Sequence, residues 1–305
     1  MPTPTVSIVI ATRNYGRYLA GALQSVLDQT WHDLEVIVID DGSTDDTPDV
    51  IRPFLADPRV RTQSTDGLGQ SRAKNLGIQL ARAPLIAFLD GDDEWLPTKL
   101  ERQLPLFANP AVGVVYSRRT LMDADGRELP TPEGTFARGR VYDCLLAQNF
   151  LCFSSVVLRR EVFESVGMFD PALSLSIDYD LWLRVARHYE FDFVDEMLVR
   201  YRTGHANLSS RIAERLKTVL SILRRSLVRR KNTETAAEKA QAEAWGSTCR
   251  TMGYVMRETG PLASAGWYVQ AARHDRRWAA TFKAIFGGLV RRPHIRMRSD
   301  VALRR

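Results

Sequence analysis

The stretch Leu85-Ile86-Ala87-Phe88-Leu89-Asp90-Gly91-Asp92-Asp93 constrains this chain more than any other. Five apolar residues run without interruption into three carboxylates. An apolar run of this length, with no polar alternation, reads as a strand buried on both faces, and such strands sit in parallel sheets covered by helices. The acids fall just past its carboxyl end, which is where open α/β sheets bind ligands. Carboxylates this close repel one another unless a cation or solvent relieves them. Mg2+ and Mn2+ prefer oxygen ligands of this kind. A metal–diphosphate clasp and a solvated acidic turn both satisfy that chemistry.

The pattern recurs along the first part of the chain. Val6-Ser7-Ile8-Val9-Ile10-Ala11 reads as a strand, and Leu19, Ala22, Leu23, Val26 and Leu27 then recur at helical spacing. Val36-Ile37-Val38-Ile39 is a second apolar strand that also ends in acids, Asp40-Asp41. Ser43 or Thr44 is expected to cap the next helix, with Pro48 in its first turn and Ile51, Phe54 and Leu55 on its buried face. A short strand near Val60 leads to Gly67-Leu68-Gly69 and a helix with Ala73, Leu76, Gly77 and Leu80 on one side. Three rounds of strand and helix predict an α/β fold, a mostly parallel central sheet sandwiched by helices. No Gly-x-Gly-x-x-Gly follows the first strand and no Gly-x-x-x-x-Gly-Lys-Ser/Thr loop is present, which argues against a dinucleotide dehydrogenase and an ATPase.

Further on, Leu100, Leu104 and Phe107 mark a helix, Val112–Tyr116 a strand and 123–140 a loop or hairpin. Ser154–Leu158 reads as a strand, and Arg160–Val166 as a short helix closed by Gly167. Asp178-Tyr179-Asp180 opens a helix with acids in its first turn, which suits the dipole.

Charge divides the chain. Residues 206–305 hold 21 Lys and Arg against 7 Asp and Glu, although the whole chain carries only +6. A domain of residues 1–205 and a basic, helical C-terminal region of 206–305 are therefore expected to meet different partners. Trp278, Phe282, Ile285, Phe286, Leu289 and Val290 form an apolar stripe flanked by arginines, a pattern suited to peripheral contact with a membrane or to packing on the protein. No nucleic-acid-binding motif is present, so nucleic acid is not an expected partner. No apolar run is long enough to span a bilayer. Met1–Thr5 lacks the basic and apolar regions of a signal peptide, and Cys144, Cys152 and Cys249 are odd in number without metal-site spacing. A cytoplasmic location is the expectation, with contact at the cytoplasmic face of the membrane through the basic region.

Four motifs stand in register: Val6–Ile10, Asp40-Asp41-Gly42-Ser43-Thr44-Asp45-Asp46-Thr47, Arg72-Ala73-Lys74-Asn75-Leu76-Gly77 and Leu89-Asp90-Gly91-Asp92-Asp93. Together they resemble the family-2 glycosyltransferases of the nucleotide-sugar-binding A-type, Rossmann-like fold, over about residues 5–205. The resemblance implies inverting transfer of one sugar from a nucleotide-diphosphate sugar, assisted by Mn2+ or Mg2+, to a glycan or lipid-linked acceptor in cell-surface polysaccharide or glycolipid assembly. It assigns the donor to Ala11, Thr12, Arg13, Asp40, Asp41, Gly67, Arg72, Asp90, Gly91 and Asp92. Asp41 would accept an N–H of the base, favouring a UDP- or dTDP-sugar. The metal falls to Asp92 and Asp93, with His205 beside them, and Arg202 would steady phosphate charge. Asp178 matches the base that takes the acceptor's proton, although Ile177 stands where the family often has Glu. Asp180 and Trp95 would meet the acceptor, Trp95 as a stacking floor unless it is core. Gln270-Ala271-Ala272-Arg273-His274 lacks the Trp of processive synthases, so single-sugar transfer is expected. A nucleotidyltransferase and an inactive nucleotide-sugar-binding protein remain as alternatives.

Overall fold

The computed structural model describes residues 3–204, 211–226, 236–255 and 261–275. The sheet begins where the apolar runs predict. β1 (Val6–Thr12) is followed by α1 (Gly16–Leu27), β2 (Leu34–Asp40), α2 (Thr47–Ile51), β3 (Val60–Ser64), α3 (Gln70–Leu80) and β4 (Leu85–Phe88). β1 lies between β2 and β4, parallel to both, with Val6 opposite Leu34 and Leu85. β3 adds to β2 in the same sense. All seven residues of β2 and all four of β4 are buried, which is why neither shows polar alternation.

The helices hold this sheet through small and apolar contacts. α1 buries Leu19, Ala22, Leu23 and Val26. α3 buries Ala73, Lys74, Gly77 and Ile78, whereas Leu76 and Leu80, expected on that face, are half-buried. The reason is close approach: a Cβ on Gly77 would stand 2.3 Å from a methyl of Val9, so the helix rests its glycine on β1 and rotates its leucines aside. α2 also departs from expectation. It starts at Thr47, with Pro48 in its first turn, and neither Ser43 nor Thr44 caps it. The Ser43 hydroxyl accepts the Asn14 N–H at 2.9 Å instead. A 3-10 turn over Arg52–Ala56 then swings Leu55 outward, leaving it exposed.

Past β4 the sheet changes character. The chain continues through β5 (Glu94–Trp95), α4 (Lys99–Gln103), β6 (Val112–Met122), β7 (Glu128–Leu129), α5 (Tyr142–Ala147), β8 (Val157–Arg159), α6 (Glu161–Val166), α7 (Ile177–Val185) and β9 (Glu190–Arg202). The strand order is β3-β2-β1-β4-β8-β6-β9-β5, with β7 paired to β6 as a hairpin. β8 enters antiparallel between β4 and β6, β6 and β9 are parallel, and β5 closes the edge antiparallel to β9. The expected α/β class with helices on both sides is therefore present. Its parallel character is confined to the β3-β2-β1-β4 block and to the β6–β9 pair.

Among the described residues three helices follow, α8 (Ile212–Ser226), α9 (Ala236–Val255) and α10 (Pro261–Asp275). By contacts the chain forms two units. One runs to Thr131 and adds Ala137–Val141 and the segment from Leu151 to β9; the other combines Pro132–Phe136, Tyr142–Phe150 and the three C-terminal helices. Leu220, Cys249 and Ala271 form the core of the second unit. No helix among the described residues is long and apolar enough to cross a membrane. The apolar stripe from Trp278 to Val290 lies outside the described residues.

Lys99 is a charged residue type buried in the core without a hydrogen-bonding partner. It is 0% exposed, and its Nζ sits 3.9 Å from the centre of the Trp95 ring. Burial holds its pKa well below the ordinary lysine range. The unfolded chain therefore binds a proton that the fold rejects, and stability rises with pH from the folded pKa up to the unfolded one. Lys99→Met should raise unfolding stability at neutral pH by about 2 kcal/mol and flatten the alkaline rise. Urea denaturation across pH measures both.

Candidate active site

Parallel strands deliver their carboxyl ends to one edge. Thr12, Asp40 and the acids after β4 meet there because β1, β2 and β4 lie in parallel register. The loops tie together directly. The Asp41 N–H bonds the Thr12 carbonyl at 2.8 Å, and Asn14, in the left-handed region at φ 59°, accepts the Thr44 N–H on its Oδ1 at 2.7 Å. Asn tolerates that backbone conformation.

Asp41 is buried and organises the adjacent loop. Its Oδ1 accepts the Thr65 hydroxyl at 2.7 Å and the Leu68 N–H at 2.6 Å, and its Oδ2 accepts the Gly69 N–H at 2.8 Å. A carboxylate offers about four lone-pair sites, so Oδ2 retains one for a further donor. Asp40 turns back to accept the Ser43 N–H at 3.0 Å. The loop needs Gly67, whose φ is +86° and whose missing Cβ leaves room for the Arg13 guanidinium, 3.2 Å from where that atom would stand. Arg13, Gly67 and Asp41 are thus one cluster, with the side chain of Leu68 exposed beside it. Arg72 is exposed on α3, and Ala11 is half-buried. Thr12 is buried, its hydroxyl lacks a partner, and it lies 3.1 Å from the Cβ position of Gly91.

The acids after β4 differ sharply from one another. Asp90 is about a third exposed and pairs with Lys74 at 3.1 Å; Lys74 is itself buried, 4.5 Å above the Phe153 ring. Asp93 is 1% exposed. Its Oδ2 accepts the Ser154 hydroxyl at 2.5 Å and its Oδ1 the Arg202 N–H at 2.9 Å. Burial, then Asp92 and Asp90, push its pKa well above the usual carboxylate range. Both Asp93 oxygens meet protein donors inside the core, so Asp90, about a third exposed, is the more open carboxylate for a cation beside Asp92.

Among the described residues no three His, Cys, Asp or Glu side chains form a ready cation cage. Asp90 and Asp92 suit the mode in which Mg2+ takes one or two carboxylates and completes its shell with water and substrate phosphates. Tyr15 is half-buried, and burial first, then Asp92, Asp90 and Asp93, raise its pKa above the ordinary phenol range. His205 lies outside the described residues.

α3 links this edge to α7. The Ser71 hydroxyl bonds the Leu173 carbonyl at 2.8 Å, Gln70 bonds the Ser174 carbonyl, and the Asn75 amide reads both the carbonyl and the N–H of Phe169. Ser176, at φ 52°, then turns the chain into α7, putting half-buried Asp178 in its first turn. Ile177 before it is buried. Asp180 is engaged by Arg184 at 2.9 Å, and the same guanidinium holds the Val166, Gly167 and Met168 carbonyls at the end of α6. Asp180 thus takes part, through Arg184, in a strap between the two helices. The role expected of Trp95 is corrected. It is 3% exposed, belongs to the core, and donates its Nε1–H to the Ser154 carbonyl at 2.7 Å. It has no face left for a sugar.

Tyr15, Lys74 and Ser154 are the residues of this edge that the sequence reading does not single out. Lys74 lies inside the Arg72–Gly77 motif and Tyr15 in the break after β1, so a weak signal existed for both. None existed for Ser154.

Comparison with known proteins fits this geometry. A family model described as glycosyl transferase family 2 matches residues 7–167. An uncharacterised glycosyltransferase of Nostoc sp. is 34% identical over 174 residues, 54% of each chain, so the match spans about half of that relative's length. A putative teichuronic acid biosynthesis glycosyltransferase of Bacillus subtilis, TuaG, is 28% identical over 68% of this chain and 82% of its own. Among solved structures, S. aureus TarS 1-349 in complex with UDP-GlcNAc superposes with a TM-score of 0.69 at 15% identity, covering 92% of this chain and 81% of that one. The mannosyltransferase PcManGT from Pyrobaculum calidifontis, in complex with GDP-Man and Mn2+, gives 0.60 at 17% identity over 95% of this chain and 87% of its own. These two share the A-type fold.

Asp41→Asn should destabilise the protein by about 2 kcal/mol, because the amide sets a donor against an N–H of the 67–69 loop. Urea unfolding measures the loss, and an unchanged midpoint would show that the loop holds without the carboxylate.

Proposed function

Because the chain belongs to glycosyltransferase family 2, we propose that it moves one sugar, with inversion, from a nucleotide-diphosphate sugar to a hydroxyl of a glycan or lipid-linked acceptor. Cell-surface polysaccharide or glycolipid assembly is the setting, in keeping with the name of the B. subtilis relative. The observation that carries this reading is the meeting of Asp41, Thr12 and the Asp90–Asp92 turn on the carboxyl edge of one parallel block.

Each residue has a task that its surroundings suit. Asp41 Oδ2 takes an N–H of the base, which favours a uracil or thymine nucleotide, and Arg13 and Leu68 flank it. Asp40 keeps the loop closed. The Thr12 hydroxyl finds in the donor the partner it lacks in the protein. Arg72, on the exposed side of α3, meets the diphosphate. Asp90 and Asp92 would hold Mn2+ or Mg2+, whose positive charge would offset that of the departing diphosphate. His205 is a further candidate ligand, from the sequence pattern alone.

Asp178 accepts the proton of the acceptor hydroxyl as that oxygen attacks the anomeric carbon opposite the diphosphate. The new C–O bond forms as the bond to the diphosphate breaks, and the electron pair leaves with the phosphate oxygen. Ile177, buried beside it, limits water at the base. The N-terminal 205 residues carry these groups. The basic C-terminal region is suited by charge to the anionic cytoplasmic face of a membrane.

A thermal-shift panel of UDP, dTDP, GDP, ADP and CMP, with and without Mn2+, should show a metal-dependent rise with one nucleotide. No rise with any would overturn the donor assignment. Asp178→Asn should keep that rise and lose transfer by roughly 100- to 10,000-fold. Near wild-type turnover would remove Asp178 as the base.

A further inference from the structure

Arg202 stands at the end of β9, where the sequence suggests a phosphate contact. Its side chain does otherwise. Arg202 is 6% exposed, and every nitrogen of the residue is turned to the protein. Its backbone N–H bonds Asp93 Oδ1 at 2.9 Å and its Nε–H bonds the Asp92 carbonyl at 2.8 Å. One terminal nitrogen reaches Glu94 Oε1 at 2.9 Å, and the other reaches the Asp123 and Ala124 carbonyls, each at 3.3 Å. The guanidinium also lies 4.8 Å from the centre of the Tyr18 ring. One residue therefore grips three consecutive residues of the acidic turn, at a carbonyl and two carboxylates.

We infer that Arg202 is a positioning residue for Asp92. On the C-terminal side of the Asp92 Cα, the Arg202 Nε–H fixes the Asp92 carbonyl, and the Arg202 N–H and Ser154 hold the Asp93 carboxylate. On the N-terminal side the Ser154 hydroxyl oxygen accepts the Asp90 N–H at 3.1 Å. Anchors on both sides leave the Asp92 side chain little freedom of direction. Glu94 completes the frame, since it also pairs with Arg200 at 2.5 Å, and Arg200 bonds the Gly126 carbonyl at 2.7 Å. The hairpin turn between β6 and β7 is thus clamped to the acidic turn through two arginines. Only a planar fork meets a carbonyl, a carboxylate and two further carbonyls at once; an ammonium is a point donor that cannot span them. The function of this frame rests on the proposed donor and cation at Asp92. Groups behind a metal ligand commonly set its affinity by 10- to 100-fold, by about that order.

Arg202→Lys in the full chain tests this, with Glu94→Gln as a milder cut in the same frame. Hydrogen exchange of the ligand-free protein is read at the 92–94 amides, and UDP, dTDP and GDP affinities are measured with and without Mn2+. The expected result is exchange at 92–94 faster by roughly tenfold, with about tenfold more Mn2+ needed for nucleotide binding and metal-free nucleotide affinity unchanged. Unchanged exchange at 92–94 in both variants overturns the inference. Loss of metal-free nucleotide affinity in Arg202→Lys also overturns it, since that marks a direct phosphate contact. A wild type that binds none of the three nucleotides with Mn2+ would instead sink the donor assignment, while the exchange result would still stand.

Discussion

Asp93 is a carboxyl group kept from water, and the ligand edge is built against it. A buried carboxyl needs partners for both oxygens, since each unmet group costs about 1–3 kcal/mol or more. The partners come from far away in the chain. The Ser154 hydroxyl is supplied by the turn before β8, and the Arg202 N–H by the end of β9. Satisfying one side chain thus brings the C-terminal half of the sheet onto the parallel half. It also fixes the turn on which Asp90 and Asp92 are displayed. Ser154 spends its oxygen twice, since it also accepts the Asp90 N–H at 3.1 Å.

That dependence explains what the sequence discloses and what it hides. β1, β2, β4 and α1 were legible because burial on both faces or on one helical stripe leaves a local periodic mark. The acids at strand ends were legible because parallel strands share an edge. Asp90 and Asp93 stand three positions apart, one about a third exposed and the other buried, and no local pattern separates them. The difference is made by contacts 61 and 109 positions away. Trp95 reads as a sugar platform by residue type and is core by position. Arg202 reads as a phosphate contact by charge and is a strut by environment. The antiparallel entry of β8 was hidden for a related reason: Val157–Arg159 is three residues long and takes its direction from its neighbours. The roles of Asp41 and Asp178 rest on the resemblance together with the loops that bring their elements to one edge.

The interior also tolerates charge where packing demands length rather than polarity. Lys74 crosses the core to Asp90 over the Phe153 ring, and Lys99 lies against the Trp95 ring with no acid at all. The Phe153 face carries part of the cationic charge of Lys74, whereas burial favours the neutral amine at Lys99. Beside them the Cys152 thiol is pushed up to about 11 by burial, so it stays protonated and unreactive at neutral pH.

The interleaving of the two units has a consequence during synthesis. α5, whose Leu145 and Leu146 are buried, packs against α9. The ribosome makes α5 first and reaches the start of α9 about 90 residues later, a delay of roughly 5–20 s at ordinary elongation rates. The parallel block has every strand it needs by then. The α5 segment does not, since the helix it packs against is still unmade. Translation speed over the stretch between them therefore sets how long a nascent apolar surface stays open to other chains, a hazard fixed by chain order and not by the final fold.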